Sequence, residues 1–291
     1  MNWFLFAIIS AVFSAAAALF QKKILFNIEA LDFSLILSFV NVILSIPFLL
    51  NVNYAALTSA NLLILYFKSI LGASAFLCVM LSIKNLEISR ALPLLALTPG
   101  LVAIFAFVFI NDSLSFVQVL AILLLLAGTY ILEARAGQKL FDPFKVFIKS
   151  KNHHYVVFAL LLFTTTSIID RLLLNRYQLM PNAFIGFQHI FFAVNFLIIY
   201  LIFKKDIVRL FKLNSNNLWF LIILISILTV VYRYTEILAV KIAPVAMVLS
   251  VKRISVFFAV LIGGKIFKEK NLVIKTIATA LIIAGIILIT R

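Results

Sequence analysis

The chain has 291 residues, of which 65% are hydrophobic and 12% charged, and its formal net charge at pH 7 is +15. Soluble domains are about 45–50% apolar and about 25% charged, so this composition excludes a soluble globular protein and predicts one embedded in lipid. The single cysteine, Cys78, excludes a disulfide framework and a cysteine-based zinc site.

Long apolar runs recur along the whole chain. A helix that crosses the bilayer needs about 20 apolar residues, and continuous runs favour helices over barrel strands, whose residues alternate. We therefore predict an all-α integral membrane protein with ten transmembrane helices. The predicted spans are residues 3–20, 33–50, 62–83, 91–110, 116–132, 155–174, 183–203, 218–238, 243–262 and 272–289.

The two halves of the chain repeat each other. Residues 84–132 align with residues 241–289 without a gap, at a constant offset of 157. Each half carries five spans, an odd number, so the second half is expected to enter the membrane inverted, as in many carriers. The predicted units are a first repeat (1–134), a connecting loop (135–152) and a second repeat (153–291).

Lys and Arg alternate between the two sides of the predicted membrane. The loops after odd-numbered spans carry seventeen of them, whereas the other side carries five. The positive-inside rule then places both termini outside and the central loop in the cytoplasm. We expect a multi-pass protein of the cytoplasmic (inner) membrane, whose basic charge reflects topology and contact with membrane lipids rather than nucleic-acid binding.

The best-aligned segments carry a recognisable pattern. Residues 91–99, with two prolines, lead to Asp112 and then to Gly128, while the second copy leads from Lys252-Arg253 to Glu269 and Gly285. This pattern resembles the paired EamA-type repeat of the drug/metabolite transporter superfamily. The resemblance implies ten helices in two inverted halves and transport of small metabolites. Family members are usually described with both termini in the cytoplasm, opposite to the charge count.

Two departures from the family pattern accompany this resemblance. The first copy has Asp112 where glutamate is commoner, and the second has Val256 where the first has Pro99.

Two cations lie in the middle of the predicted ninth span. A charge at the bilayer centre costs at least about 2.5–3.5 kcal/mol on insertion scales, so Lys252 and Arg253 need a reason to be there. One interpretation is an anchor for a carboxylate or phosphate, to which the planar guanidinium of Arg is suited. The other is a buried ion pair with Asp170 or Glu236. The sequence leaves both open.

Other polar residues in the spans have similar alternatives. Glu236 shares a helix face with Arg233, either as an interfacial salt bridge or as a proton-coupling carboxylate. Lys68 either lines a cavity or snorkels, Asp170 lies either near the interface or at a coupling site, and His189 is either a packing residue or a proton relay. The candidate substrate-binding residues are Arg253, Lys252, Lys68, Glu236, Tyr232 and Gln188, and the candidate coupling residues are Glu236, Asp170 and His189.

Prolines interrupt the predicted fourth span. Pro93, Pro99 and Gly100 form a candidate hinge, since proline removes a backbone donor and interrupted helices often mark a carrier's site. A simple packing kink is the alternative. We expect the fourth and ninth spans to face each other across a cavity, one supplying a bend and the other the charge.

These features favour a secondary transporter over an enzyme. We expect alternating-access transport of a small anionic or zwitterionic metabolite, such as an amino acid or nucleotide, by a monomer or homodimer without metal or cofactor. No phosphate-cradling GxxxxGK[ST] loop is present for ATP hydrolysis. A flippase for a lipid-linked or amphipathic substrate is the alternative. A membrane enzyme acting on lipids or prenyl groups has less support, because the ten acidic residues are scattered singly.

Overall fold

The computed structural model describes residues 2–98, 116–134, 145, 148–204, 216–243 and 245–289. These residues form α-helices joined by short connections, and none of them lies in a β-strand. The helix α6 continues into a π-helical turn, Leu172–Arg176. The helices are α1 (Trp3–Ile24), α2 (Ala30–Leu50), α3 (Ser59–Asn85), α4 (Ile88–Leu95), α5 (Phe116–Glu133), α6 (Lys151–Arg171), α7 (Pro181–Phe203), α8 (Asn216–Ile242), α9 (Val245–Lys252), α10 (Ile254–Ile266) and α11 (Leu272–Ile289).

Most of these helices have the length and apolar composition of membrane-spanning helices. Within the described residues, seven helical segments are long and apolar enough to cross a membrane, and two shorter apolar helices lie within α5 and α11. Large apolar side chains such as Phe4, Ile43 and Phe203 are exposed on the outer surface. A soluble protein rarely exposes apolar surface on this scale, so the chain is a multi-pass membrane protein.

Local sequence sets several helix starts. The side chain of Asn2 accepts a hydrogen bond from the backbone N–H of Phe4 at 3.1 Å, and Thr58 does the same for Asn61 at 3.3 Å. Both are N-caps, which satisfy backbone donors that have no partner within the helix. Pro181 begins α7, where its fixed φ suits the first helical turn and no N–H is needed.

Side-chain contacts define two faces of the helix bundle. The ends of α1 and α3 meet where Lys22 reaches the backbone of α3, and the start of α2 meets the end of α7 where Lys204 binds Asp32 at 2.8 Å. We call this side the basic face. On the other side, the N-terminal face, Asn61 at the start of α3 donates to the carbonyl of Tyr177 at 3.4 Å.

Two lysines that the charge count assigned to loops are buried within helices. Lys22 lies in the last turn of α1, where its ammonium donates to the carbonyls of Ile83 at 2.6 Å and Leu86 at 2.8 Å. Lys275 lies in α11 and forms an ion pair with Glu87 at 2.6 Å. Both ammonium groups therefore bind partners inside the protein, and neither lies in a solvated loop.

Lys204, just beyond α7, remains at the surface of the basic face. Partial burial lowers the pKa of its ammonium, but hydrogen bonds to Asp32 and Glu29 outweigh that effect and raise the pKa above its ordinary value. The three groups join the start of α2 to the end of α7 on this face.

The predicted ninth span contains a one-residue irregularity near its centre. Helix α9 ends at Lys252, Arg253 forms a turn, and α10 begins at Ile254. Residues 247–266 together are still long and apolar enough to cross a membrane. In the first half, α4 ends at Leu95, which is 157 residues before Lys252. The two helices thus end at matching positions of the sequence repeat. Pro93 lies inside α4, whereas Pro99, Gly100 and Asp112 lie outside the described residues.

Helices α5 and α11 pack through glycines in a reciprocal way. A Cβ added to Gly128 would meet the carbonyl oxygen of Ala278 at 2.9 Å, and one added to Gly285 would meet that of Ala121 at 2.9 Å. Ala121 and Ala278, like the two glycines, are 157 residues apart. The two helices therefore approach closely at both glycines, and each contact repeats the other.

Helices α4 and α10 also lie against each other. A Cβ at Gly263 in α10 would meet the side chain of Ile88 in α4 at 2.8 Å. This contact lies just outside the two predicted spans, and both helices also line the cavity, through Leu92 and Leu95 of α4 and Val256 of α10. That the fourth and ninth spans face each other across the cavity therefore stays a prediction.

Three buried apolar clusters hold the helices together. The basic-face cluster joins the ends of α1, α3 and α7 to the starts of α2 and α8 and includes Ile24, Leu37, Met80, Ile83 and Phe196. The N-terminal-face cluster includes Leu65, Leu174, Phe184, Val240 and Val248. The central cluster joins α4, α5, α6, α10 and α11 and includes Leu94, Leu125, Leu160, Val260 and Ile282.

Candidate functional site

A cavity of about 220 Å³ lies among the helices, and the charged residues of the spans meet there. Every candidate binding or coupling residue named from the sequence lines it: Lys68, Asp170, Gln188, His189, Tyr232, Glu236, Lys252 and Arg253. These residues come from α3, α6, α7, α8, α9 and the turn before α10. Pro93 is not among the lining residues, so its position in α4 gives it no direct part in the site.

Five charged side chains form a chain of alternating sign along the wall. Lys68 and Asp170 lie 2.8 Å apart, Asp170 and Arg233 3.6 Å, Arg233 and Glu236 2.7 Å, and Glu236 and Lys252 2.8 Å. Each acid thus contacts two cations. Burying unpaired charges is costly, so this pairing is what allows the groups to remain away from water.

The alternatives that the sequence left open are partly settled by these pairs. Lys252 is ion-paired with Glu236, which also pairs with Arg233 and lines the cavity. Lys68, only 2% exposed, lines the cavity as well. Asp170 lies against Lys68 in the same cavity.

Arg253 differs from the other cations. Its Nε is buried without a hydrogen-bond partner, and its guanidinium forms no ion pair with any acid in the part of the chain that the structure describes. The backbone break between α9 and α10 places this side chain on the cavity wall beside Lys252. The lining contains four cationic and two acidic side chains, so it carries an excess of two positive charges.

Gln188 is oriented by two of the cations. Its Oε1 accepts hydrogen bonds from Nζ of Lys68 at 2.7 Å and from Nη2 of Arg233 at 3.2 Å. Because the carbonyl end of the amide is occupied, its NH₂ group is left as the free end of this side chain. Gln188 therefore ties α7 to the charged chain.

A polar wall faces the cavity from α1 and α2. Gln21, Ser38 and Asn41 line it, and Asn41 is 6% exposed with a side-chain oxygen that has no hydrogen-bond partner within the described residues. On α7, the Nδ1 of His189 lies 2.5 Å from the hydroxyl of Ser45. Sequence reasoning did not select Asn41, Ser45 or Arg233 as site residues.

The signals for these missed residues differ. Arg233 was recognisable as a charge inside an apolar run, but its i,i+3 spacing to Glu236 explained it as a local pair. Asn41 and Ser45 are single polar residues in an apolar helix, and nothing local distinguishes them from the other serines of α2.

The cavity extends toward the basic face. Members of the basic-face cluster, Leu37, Met80, Ile83 and Phe196, line it, whereas no buried member of the N-terminal-face cluster does. Beyond the charged chain, on the side of Leu174 and Val240, lies a small space of about 10 Å³. The charged groups therefore lie at the closed end of the cavity.

Within the described residues, no group of three or more His, Cys, Asp or Glu side chains could hold a metal ion. The lining of the cavity offers cationic, amide and hydroxyl groups for ion pairs and hydrogen bonds.

Comparison with known proteins connects this helical bundle to a family. The sequence matches the family model of the EamA-like transporter family over residues 1–133, which end where α5 ends. Residues 1–133 are thus similar to the EamA-like transporter family. This family is part of the drug/metabolite transporter superfamily. None of the curated proteins matches the sequence.

A solved structure shares the fold of the whole chain. It is described only as the crystal structure of a protein, and it superposes with a TM-score of 0.67 over 98% of this chain and 95% of its own. The two sequences are 15% identical, so the likeness concerns the fold alone. The shared fold covers both halves of the chain.

Proposed function

We propose that this EamA-type protein is a secondary transporter that carries a small organic anion across the cytoplasmic membrane. The observation that carries the proposal is the positive excess at the closed end of the cavity, with the Arg253 guanidinium unpaired. Arg253 is partly buried, has no ion pair among the described residues and has a buried Nε without a partner, so an anion in the cavity would stabilise this arrangement. Arg offers two parallel donors to a carboxylate or phosphate.

The size of the cavity favours a small metabolite over a lipid-linked cargo. Pockets for drug-sized ligands measure about 300–1,000 Å³, whereas this cavity measures about 220 Å³. The earlier alternatives, a flippase and an enzyme acting on lipids, gain no specific support from the lining residues.

The proposed mechanism is alternating access between two inverted halves of five helices each, residues 1–134 and 153–291, which together make ten spans. Support comes from the reciprocal glycine contacts of α5 and α11 and from the matching ends of α4 and α9. In the described conformation the cavity reaches toward the basic face. Rearrangement of the two apolar clusters would then close that side and open the N-terminal face.

The basic face is proposed to be cytoplasmic, with both termini outside. Even without the buried Lys22 and Lys275, the loops of this face carry most of the Lys and Arg residues. Substrate would enter this conformation from the cytoplasm. The driving ion gradient or exchanged solute would act through the paired acids, Asp170 and Glu236.

The proposal is tested by transport into proteoliposomes with a panel of radiolabelled carboxylates, phosphates, amino acids and nucleotides. We expect wild-type protein to take up at least one anion, and Arg253→Ala to reduce that uptake at least tenfold. Arg171→Ala is the matched control, because Arg171 is exposed next to Asp170 in the sequence and should leave uptake unchanged. Equal uptake by Arg253→Ala and wild type, or uptake of cations only, would contradict the proposal.

A further inference from the structure

The cavity has a second polar region besides its cationic end, and it is centred on His189. The imidazole is 2% exposed and lines the cavity from α7, next to the amide of Gln188. Its Nδ1 contacts the Ser45 hydroxyl of α2 at 2.5 Å. The contact across the two helices fixes the ring in one orientation, so its chemistry can be derived from the hydrogen bonds around it.

The hydroxyl of Ser45 determines which nitrogen of His189 carries the proton. This hydroxyl lies 2.6 Å from the backbone carbonyl of Asn41, which can only accept a hydrogen bond. A hydroxyl has a single hydrogen, so once it is donated to the carbonyl the Ser45 oxygen can only accept. The hydrogen between Ser45 and His189 must therefore come from the imidazole, and Nδ1 is protonated.

The opposite nitrogen of a neutral ring is then a hydrogen-bond acceptor. A neutral ring suits this place, because the lining already carries an excess of two positive charges. The Nε2 of His189 makes no hydrogen bond with any described residue, and it is not among the buried atoms without a partner. Nε2 is thus the polar atom that the ring offers to the cavity.

Another acceptor lies on α2, one turn before Ser45. The side-chain oxygen of Asn41 is buried and has no hydrogen-bond partner among the described residues, although Asn41 lines the cavity. Asn41 and Ser45 are four residues apart and so share one face of α2. A buried polar atom normally has a partner, which Asn41 Oδ1 lacks, and His189 Nε2 is an acceptor open to the cavity, so a ligand that donates to both would satisfy them.

We propose that His189 Nε2 and Asn41 Oδ1 form an acceptor subsite for a hydrogen-bond donor of the transported molecule. This inference rests on the proposed function, and it narrows the substrate to an organic anion that also carries a hydroxyl or ammonium group. The anionic group binds at Arg253 and Lys252, while the donor binds at His189 and Asn41. A bare anion leaves both acceptors unsatisfied and binds more weakly.

The test compares anions that share a skeleton and differ only in the donor. The probes are propionate, lactate and alanine, together with n-propyl phosphate and glycerol 3-phosphate, added to purified wild-type protein while its thermal unfolding is recorded. We expect the donor-bearing members of at least one set to bind at least tenfold more tightly than the member without a donor. Lactate and alanine separate a hydroxyl from an ammonium donor.

Variants of His189 separate the subsite from the anion site. His189→Gln keeps an acceptor near the position of Nε2 and should retain the preference for donor-bearing probes. His189→Phe keeps a planar ring without an acceptor and should lose this preference, although it still binds the anions. Arg253→Ala should instead weaken all probes of a set together.

The outcomes distinguish the two proposals. Equal affinity for members with and without a donor, or an unchanged preference in His189→Phe, would overturn the acceptor subsite and leave the anion transporter standing. If no anion stabilises the wild-type protein, both the proposed function and this inference are wrong.

Discussion

Glu236 has two cationic partners in the charged chain. It forms ion pairs with Arg233 at 2.7 Å and Lys252 at 2.8 Å, whereas Lys252 pairs with Glu236 alone among the described acids. Loss of one partner from a buried pair is costly because the other charge is left in a medium of low dielectric constant. The two ends of this contact are therefore unequal. Without Glu236, Lys252 has no acidic partner among the described residues and Arg233 keeps only Asp170 at 3.6 Å. Without Lys252, Glu236 keeps Arg233 at 2.7 Å.

This inequality predicts the order of stability among three variants. We expect Glu236→Gln to lower the free energy of unfolding by about 3–5 kcal/mol, the range for a broken buried ion pair. Lys252→Met should cost clearly less, and the double variant should recover part of the loss of Glu236→Gln. Thermal unfolding of the detergent-purified proteins measures all three. If Lys252→Met lowered the free energy of unfolding as much as Glu236→Gln, the unequal pairing of the two residues would be contradicted.

At the scale of single residues, the sequence predicted which side chains lie in the cavity, but it did not predict most of their ion pairs. Charges within apolar runs cost free energy, so Lys68, Glu236, Lys252 and Arg253 could be selected from the sequence alone. Their partners are far apart in the chain: Lys68 binds Asp170 and Gln188, more than 100 residues away. Spacing along one helix cannot reveal such contacts, which depend on how the helices pack.

At the scale of helices, α4 is a short helix whose start is held by the other half of the chain. The carboxylate of Glu269 accepts hydrogen bonds from the backbone N–H groups of Ile88 at 2.7 Å and Ser89 at 3.2 Å, and also binds the Ser89 hydroxyl. These are the donors that a helix cannot satisfy itself, and a carboxylate also interacts favourably with the positive end of the helix dipole. Glu269 thus acts as an N-cap from a distant part of the sequence.

Removal of this cap should loosen the first turn of α4. We expect Glu269→Ala to cost about 0.5–2 kcal/mol, the usual range for a lost N-cap. Hydrogen exchange at the amides of Ile88 and Ser89 should become faster. Lys270→Ala is the control, because Lys270 is exposed on the same loop. Unchanged exchange at both amides in Glu269→Ala would show that the carboxylate does not stabilise the helix.

The break between α9 and α10 is the element that sequence reasoning missed. Prolines marked the interruption of the fourth span, but no proline or glycine lies between Val245 and Ser255. The break coincides with the ion pair of Lys252 and the cavity position of Arg253, so tertiary contacts rather than local propensity accompany it. The sequence repeat offered one signal, because Lys252 aligns with Leu95, close to the prolines that interrupt the fourth span.

At the scale of the whole molecule, the cavity is asymmetric between the two faces of the helix bundle. It is lined by the basic-face cluster and ends at the charged chain, beyond which the N-terminal-face cluster packs around Leu174, Phe184 and Val240. The composition predicted a membrane protein, and the repeat predicted related halves. The direction in which a cavity extends depends on the packing of helices, so it could not be predicted from either.

The electrostatic character of the cavity is measured directly by charged thiol reagents. In a Cys78→Ser background, Ser38→Cys places one thiol on the cavity wall, on the side of the basic face. The rates of an anionic and a cationic methanethiosulfonate at this thiol are each divided by the rate of the same reagent with free 2-mercaptoethanol. Because an excess of positive charge attracts anions, we predict a higher relative rate for the anionic reagent at low salt.

Arg253→Ala in the same background should reduce the relative rate of the anionic reagent compared with that of the cationic reagent, whereas Arg171→Ala should not. Reaction of the anionic reagent at or below the relative rate of the cationic one would contradict a cationic cavity that receives anions.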